Sequence, residues 1–216
     1  MRAIVRWFLG GLLVLLIFLH VLILAVRDSA VARATAPGRA VLKIPSAHSP
    51  PQRGDILDSW RGIPIRHNGE PYWKSHGRHF ANSGYYFGKK WQCVEYVKRF
   101  YYLALNHEMP DVMGHAKSFF DPDITPPGFN QARGLWQYAN GGGVPPRPDD
   151  LIVWRQHTYG HVAIITRVEA RFIEIIQQNV LVGTRQRLPL TRHQGRYFVG
   201  EETWAPAGWL RPAPGS

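Results

Sequence analysis

Residues 85–106 read YYFGKKWQCVEYVKRFYYLALN, and this stretch marks where the chain turns from loop to helix. Val94, Val97, Tyr101 and then Ala104 or Leu105 recur at helical spacing, with Glu95 and Lys98 off that stripe. The helix is expected to begin close to Cys93 and to stop by Asn106, with Pro110 beyond it. Cys93 is the only cysteine of the chain. A thiol at a helix start meets unpaired backbone N–H groups and the positive end of the macrodipole, which favour the thiolate, the nucleophilic form. Lys89 and Lys90 add positive charge nearby.

Downstream, three apolar, β-branched stretches follow at residues 150–154 (DLIVW), 161–168 (HVAIITRV) and 172–180 (FIEIIQQNV). The short gaps between them point to antiparallel hairpins. Residues 197–199 are expected to add a fourth strand, and residues 61–71, with turn signals at Gly62 and Asn68-Gly69, a short strand pair. A short helix is expected around residues 130–138 of a loop-rich stretch, 107–148. One helix followed by a sheet meander makes an α+β domain. His161 follows Gly160 and opens the second strand, where its ring stands at a rigid sheet edge. Period-2 alternation puts Gln177 and Asn179 on one face of the third strand and Glu174 on the other.

The remainder of the chain bounds the setting. It has 216 residues, 45% of them hydrophobic, which excludes disorder as the overall class and suits one sizeable domain. The formal net charge of +11 attracts anions without selecting among them. There is no zinc-finger spacing, no RNA-binding aromatic signature and no long Lys/Arg block, so nucleic acid is not expected as a partner. His157 and His161 stand four apart, but without the glutamate of a metal-binding helix no metal is expected, and no cofactor either.

Residues 7–26 contain no Asp, Glu, Lys or Arg; as a helix such a run would span about 30 Å, the thickness of a bilayer core. The expectation is therefore a signal anchor or transmembrane helix over 1–26, a linker over 27–52 and a globular domain over 53–216. That layout places the protein in a bacterial inner membrane, single-pass, with its domain in the periplasm. The alternative is secretion after cleavage at Ala30-Val31-Ala32.

WQCVEYVKRFY (91–101), DLIVW, GHVAIIT (160–166) and IIQQNV (175–180), in that order, resemble the CHAP family, the cysteine, histidine-dependent amidohydrolases/peptidases. The resemblance covers residues 60–185 and is strongest to the family's glutathionylspermidine amidase domains. It implies a papain-like CHAP fold, an α+β domain with the Cys-bearing helix packed on an antiparallel sheet. It makes Cys93 the nucleophile and His161 the general base and acid. Gln177 then orients the imidazole where the amidase pattern has a glutamate, an amide in place of a carboxylate. Gln92, Tyr86 and Asn179 are candidates for the oxyanion hole or the cleft. The function implied is cleavage of amide bonds through a thioester. The first expected substrate is a peptide, in particular peptidoglycan peptides, with inner-membrane attachment through the N-terminal helix. The alternatives are an amidase of peptide–polyamine conjugates such as glutathionylspermidine, and a non-catalytic binding module on the same scaffold.

Overall fold

The structure, a computed structural model, describes residues 50–181 and 183–213. It opens with a hairpin of β1 (Ile56–Trp60) and β2 (Ile63–Arg66). Arg61 and Gly62 both take positive φ (47° and 78°), as a two-residue hairpin turn matched to strand twist requires. A second hairpin, β3 (Arg78–Phe80) with β4 (Tyr86–Lys89), leads into α1 (Cys93–Leu105). Asn106 ends the helix in the left-handed conformation at φ 50°. Then come β5 (Gly128–Asn130), β6 (Leu135–Ala139), β7 (Leu151–Trp154), β8 (His161–Val168) and β9 (Phe172–Ile176). β10 (Arg185–His193), β11 (Arg196–Val199) and β12 (Gly208–Arg211) complete the chain.

Eight strands form one sheet in the order β11-β10-β9-β8-β7-β12-β6-β5, with every pair antiparallel. β7 to β11 run as a meander, and β12 returns to lie between β7 and β6. The central strands are buried on both faces. On β8, Val162 and Ile164 join Tyr96, Val97, Phe100 and Tyr101 of α1 in one core. Ala163 and Ile165 join a second core with Trp154, Ile173, Ile175, Leu188 and Trp209. That second core is made of strand residues alone, so the sheet curls to bury its far face against itself. Tyr101 fastens helix to sheet: its hydroxyl lies 3.0 Å from the Asp149 and Leu210 carbonyls and accepts the Leu151 N–H.

Several expectations are corrected here. Among the described residues there is one α-helix and strands dominate, so the α+β class with a preceding transmembrane helix gives way to a mostly-β domain carrying a single helix. No helix of the described residues is long and apolar enough to cross a membrane. That finding counts against the single-pass inner-membrane placement. The run 7–26 on which it rested, and most of the linker, lie outside the described residues. Where a helix was expected at 130–138, Leu135 and Gln137 alternate with Trp136 and Tyr138 as strand β6, because pairing with β5 and β12 outweighs local preference. β10 was not anticipated, since its arginines and Pro189 obscure the period-2 pair Leu188 and Leu190 that the core buries. The third strand is shorter than expected and ends at Ile176, ahead of the QQN run. Glu95 and Lys98, though off the apolar stripe of the helix, are both fully buried.

Candidate active site

Gln92 is the N-cap of α1, with extended backbone and no side-chain cap bond. Its side chain turns outward: Nε2 donates to the Lys74 carbonyl (3.2 Å), and Oε1 accepts from Asn179 Nδ2 (2.8 Å). The uncapped N–H groups of the first helical turn are thereby left to the cysteine. The Cys93 thiol is approached by the backbone N–H groups of Val162, Val94 and Cys93 itself. These favour the thiolate, yet burial outweighs them and pushes the thiol up from its ordinary value. The depressed thiol expected from helix position alone is therefore not observed, because Cys93 packs against the core beneath α1.

Val162 is also the link to the imidazole, since His161 precedes it on β8. His161 Nε2 lies 3.0 Å from Gln177 Oε1. The amide orientation follows from its other contacts: Gln177 Nε2 faces the Gly183 carbonyl and Gln186 Oε1, both at 3.4 Å and both acceptors. The oxygen must then face the ring, so the neutral imidazole carries its proton on Nε2 and leaves Nδ1 as an acceptor. Burial pushes the His161 pKa down to about 4, against the Gln177 bond, which raises it. The resting groups are thus a neutral thiol and a neutral imidazole. No hydrogen bond joins Cys93 to His161 among the described residues; such contacts commonly tighten only when substrate is bound.

A second network, which sequence reading missed, holds the two halves in register. Gln178 Nε2 donates to the Gln92 carbonyl (3.0 Å) and to Glu95 Oε2 (2.7 Å), while its Oε1 accepts the Arg66 N–H (2.8 Å). Glu95 also bonds His79 Nδ1 (2.7 Å) and Arg99 Nε (2.6 Å). Although burial raises the Glu95 pKa, His79, Arg99 and Gln178 together hold it below the ordinary carboxylate value. The signal in the sequence was the doubled glutamine before Asn179, read for its first member only. Gly88 makes the close approach possible: a Cβ there would lie 3.1 Å from the Glu95 backbone.

The other candidates divide. Asn179 comes to the site and adopts φ 63°. Gln92 comes too, but its amide nitrogen is committed to Lys74. Tyr86 does not: its ring packs on Phe80 and under Lys98, and its carbonyl accepts from Lys98 Nζ. Glu174 faces away, bonded to Arg185 and Thr166. The His157 ring lies tilted against Trp204, and among the described residues no group of three or more His, Cys, Asp or Glu is placed to hold a metal. Gly160, at φ 71°, is needed for packing rather than for an open approach, since a Cβ would fall 2.4 Å from the Trp154 carbonyl oxygen.

Residues 84–179, which contain this site, match the family model of the CHAP domain. The resemblance read from the four ordered segments therefore holds over that stretch. Two curated proteins are similar to the chain: the bifunctional glutathionylspermidine synthetase/amidases of Escherichia coli (strain K12) and of Shigella flexneri. Each is 34% identical over 101 residues, 44% of this chain. The match spans only 16% of the length of those relatives. Both comparisons support a hydrolase acting on amide bonds, of the amidohydrolase or peptidase kind.

Proposed function

We propose that the protein is a cysteine-dependent amidohydrolase of peptides or peptide conjugates, with Cys93 as nucleophile, His161 as general base and then acid, and Gln177 orienting the ring. The observation that carries the reading is the tautomer: Gln177 holds the proton on Nε2, so Nδ1 is free to take one from the thiol. Because both groups rest neutral, attack and proton transfer are coupled. The Cys93 sulfur bonds to the substrate carbonyl carbon as the thiol proton passes to Nδ1. The Cys93 N–H, unpaired within the first helical turn, faces the developing oxyanion. The C–N bond then breaks as the imidazolium returns its proton to the leaving amine. Water resolves the thioester with His161 again as base, releasing the carboxylic acid.

Two substrates stand to be compared: peptidoglycan peptides, the expectation from sequence alone, and glutathionylspermidine, the conjugate in the names of both relatives. Incubation of the full chain with each, beside the Cys93→Ala variant, is expected to release new amines from one of them only with intact Cys93. Identical products from the two proteins on both substrates would sink the proposal. A non-catalytic binding module is the second reading, favoured by the raised thiol and the absent Cys93–His161 bond. Iodoacetamide labelling separates the two. Catalysis through a coupled pair requires that His161→Ala slow alkylation at neutral pH, whereas a passive thiol reacts alike in both proteins.

A further inference from the structure

Residues 110–115 are exposed except for Val112, so side-chain packing does not fix the course of this loop. Two buried cations do. The Arg133 guanidinium donates to the carbonyls of Asp111 (2.7 Å), Met113 (3.2 Å) and Ser118 (3.4 Å), and to the Ser118 hydroxyl (3.2 Å). Lys98, on α1, donates to the Val112 carbonyl between them (3.0 Å). A cation held away from water and met by dipoles tolerates little loss of its acceptors, so it ties the loop to one shape. Arg133 also lies over the Phe119 ring at 4.0 Å. Gly114 makes room for it: φ is 107° there, and a Cβ would fall 2.3 Å from Ser118 Oγ and 3.2 Å from Arg133 Nη2.

The gripped loop ends in a short 3-10 turn, Ala116–Phe119, that abuts the start of β8. The Lys117 N–H donates to the Tyr159 carbonyl (2.9 Å), two residues before His161. Gly160 is wedged between this turn and the end of β7, since a Cβ there would also fall 2.7 Å from the Lys117 nitrogen. On the other side of His161, Val162 shares a core with Ala116 and Phe119. The histidine is therefore flanked on both sides by contacts to the turn that Arg133 grips. Its bond to Gln177 fixes the tautomer, but the place of the ring is set by the backbone beneath it.

We propose that Arg133 is a positioning residue for His161: through the turn Ala116–Phe119 it fixes the backbone on either side of the histidine, and so the place of the ring relative to Gln177 and Cys93. This deepens the proposed function, on which it rests for the effect on the thiol but not for the effect on the ring. A misplacement of about 1 Å is enough to slow a reaction about a hundredfold.

The test uses the full chain with isotope-labelled histidine. A long-range proton–nitrogen spectrum separates the two tautomers of each ring, and the His161 signals are identified by their loss in His161→Ala. The wild-type ring is expected as one tautomer, protonated on Nε2. Arg133→Lys keeps a cation but cannot span the same acceptors, and is expected to leave the ring as a mixture of both tautomers. Alkylation of Cys93, the only thiol, reads the consequence. Arg133→Lys should slow it about tenfold, but less than about twofold in the His161→Ala background, because a residue acting through another then has nothing to act on. An unchanged single tautomer in Arg133→Lys would overturn the proposal. So would an alkylation rate that depends on His161 but not on Arg133, or on Arg133 equally in both backgrounds. Ser118→Ala, at an exposed position, removes one acceptor and should shift the tautomer in the same direction with an unchanged near-ultraviolet dichroism spectrum. It decides the matter if Arg133→Lys does not fold. A ring that mixes as expected, beside wild-type alkylation that ignores His161, would instead count against the amidohydrolase reading alone.

Discussion

Two buried polar clusters sit within one helical turn of each other and solve the same problem in opposite ways. Around Glu95, charge is kept: a carboxylate with no solvent exposure is met by Arg99, His79 and Gln178. Around Cys93 and His161, charge is suppressed: burial pushes the thiol up and the imidazole down to about 4, and the partners are backbone N–H groups and a neutral amide. The difference teaches that burial alone does not decide ionisation. A buried charge survives where a full opposite charge and matched donors surround it, and disappears where only dipoles do. The charged cluster ties the helix to the end of β9, and the neutral one is the pair to which the proposed mechanism assigns proton exchange.

The comparison can be broken from either side. The largest effect is expected at the neutral cluster: His161→Ala should lower kcat/KM by about 10²–10⁴, the usual worth of a general acid–base group, with the unfolding transition retained. Next, Glu95→Ala leaves Arg99 buried without its partner and should cost about 3–5 kcal/mol, read as a lower urea midpoint at unchanged slope. A smaller effect sharpens the contrast itself. With Gln177 the acid limb of the rate profile is expected near pH 4, where His161 protonates. Gln177→Glu places a carboxylate against the ring and should move that limb up by about one to three units. An unmoved limb would show that His161 is not the titrating base.

The smallest effect is on stability. The folded His161 pKa lies near 4 and its ordinary value is 6.5. Between those values the unfolded chain binds the extra proton, so this contribution to stability is present above pH 6.5 and lost as pH falls toward 4. Asp150, pushed up from 3.8 to about 7 by burial against the pull of Arg211, acts in the opposite direction across this whole range. The difference in unfolding free energy between the wild type and His161→Gln, followed from pH 7 to 4, isolates the histidine and should shrink steadily. A constant difference would mean that the ring does not titrate in that window.

The helix over Cys93–Leu105 and the strand over His161–Val168 were legible because each is long, periodic and bounded by clear breakers. Gln177 was legible from the alternation of the third strand, although that strand ends one residue before it. β10 was not, because two leucines among arginines acquire meaning only when β9 and β11 flank them. Glu95 and Gln178 were not, because a polar residue on a helix or past a strand end looks solvated until its partners, many residues away, are brought to it.

By itself, then, the sequence determined the order of the candidate site residues and the helix and strand that bear Cys93 and His161, since local periodicity and turn residues are short-range properties. Only the tertiary structure decided how many strands share the sheet, which faces are buried and which groups are charged. Those depend on desolvation and on pairing between distant segments, which no local pattern records.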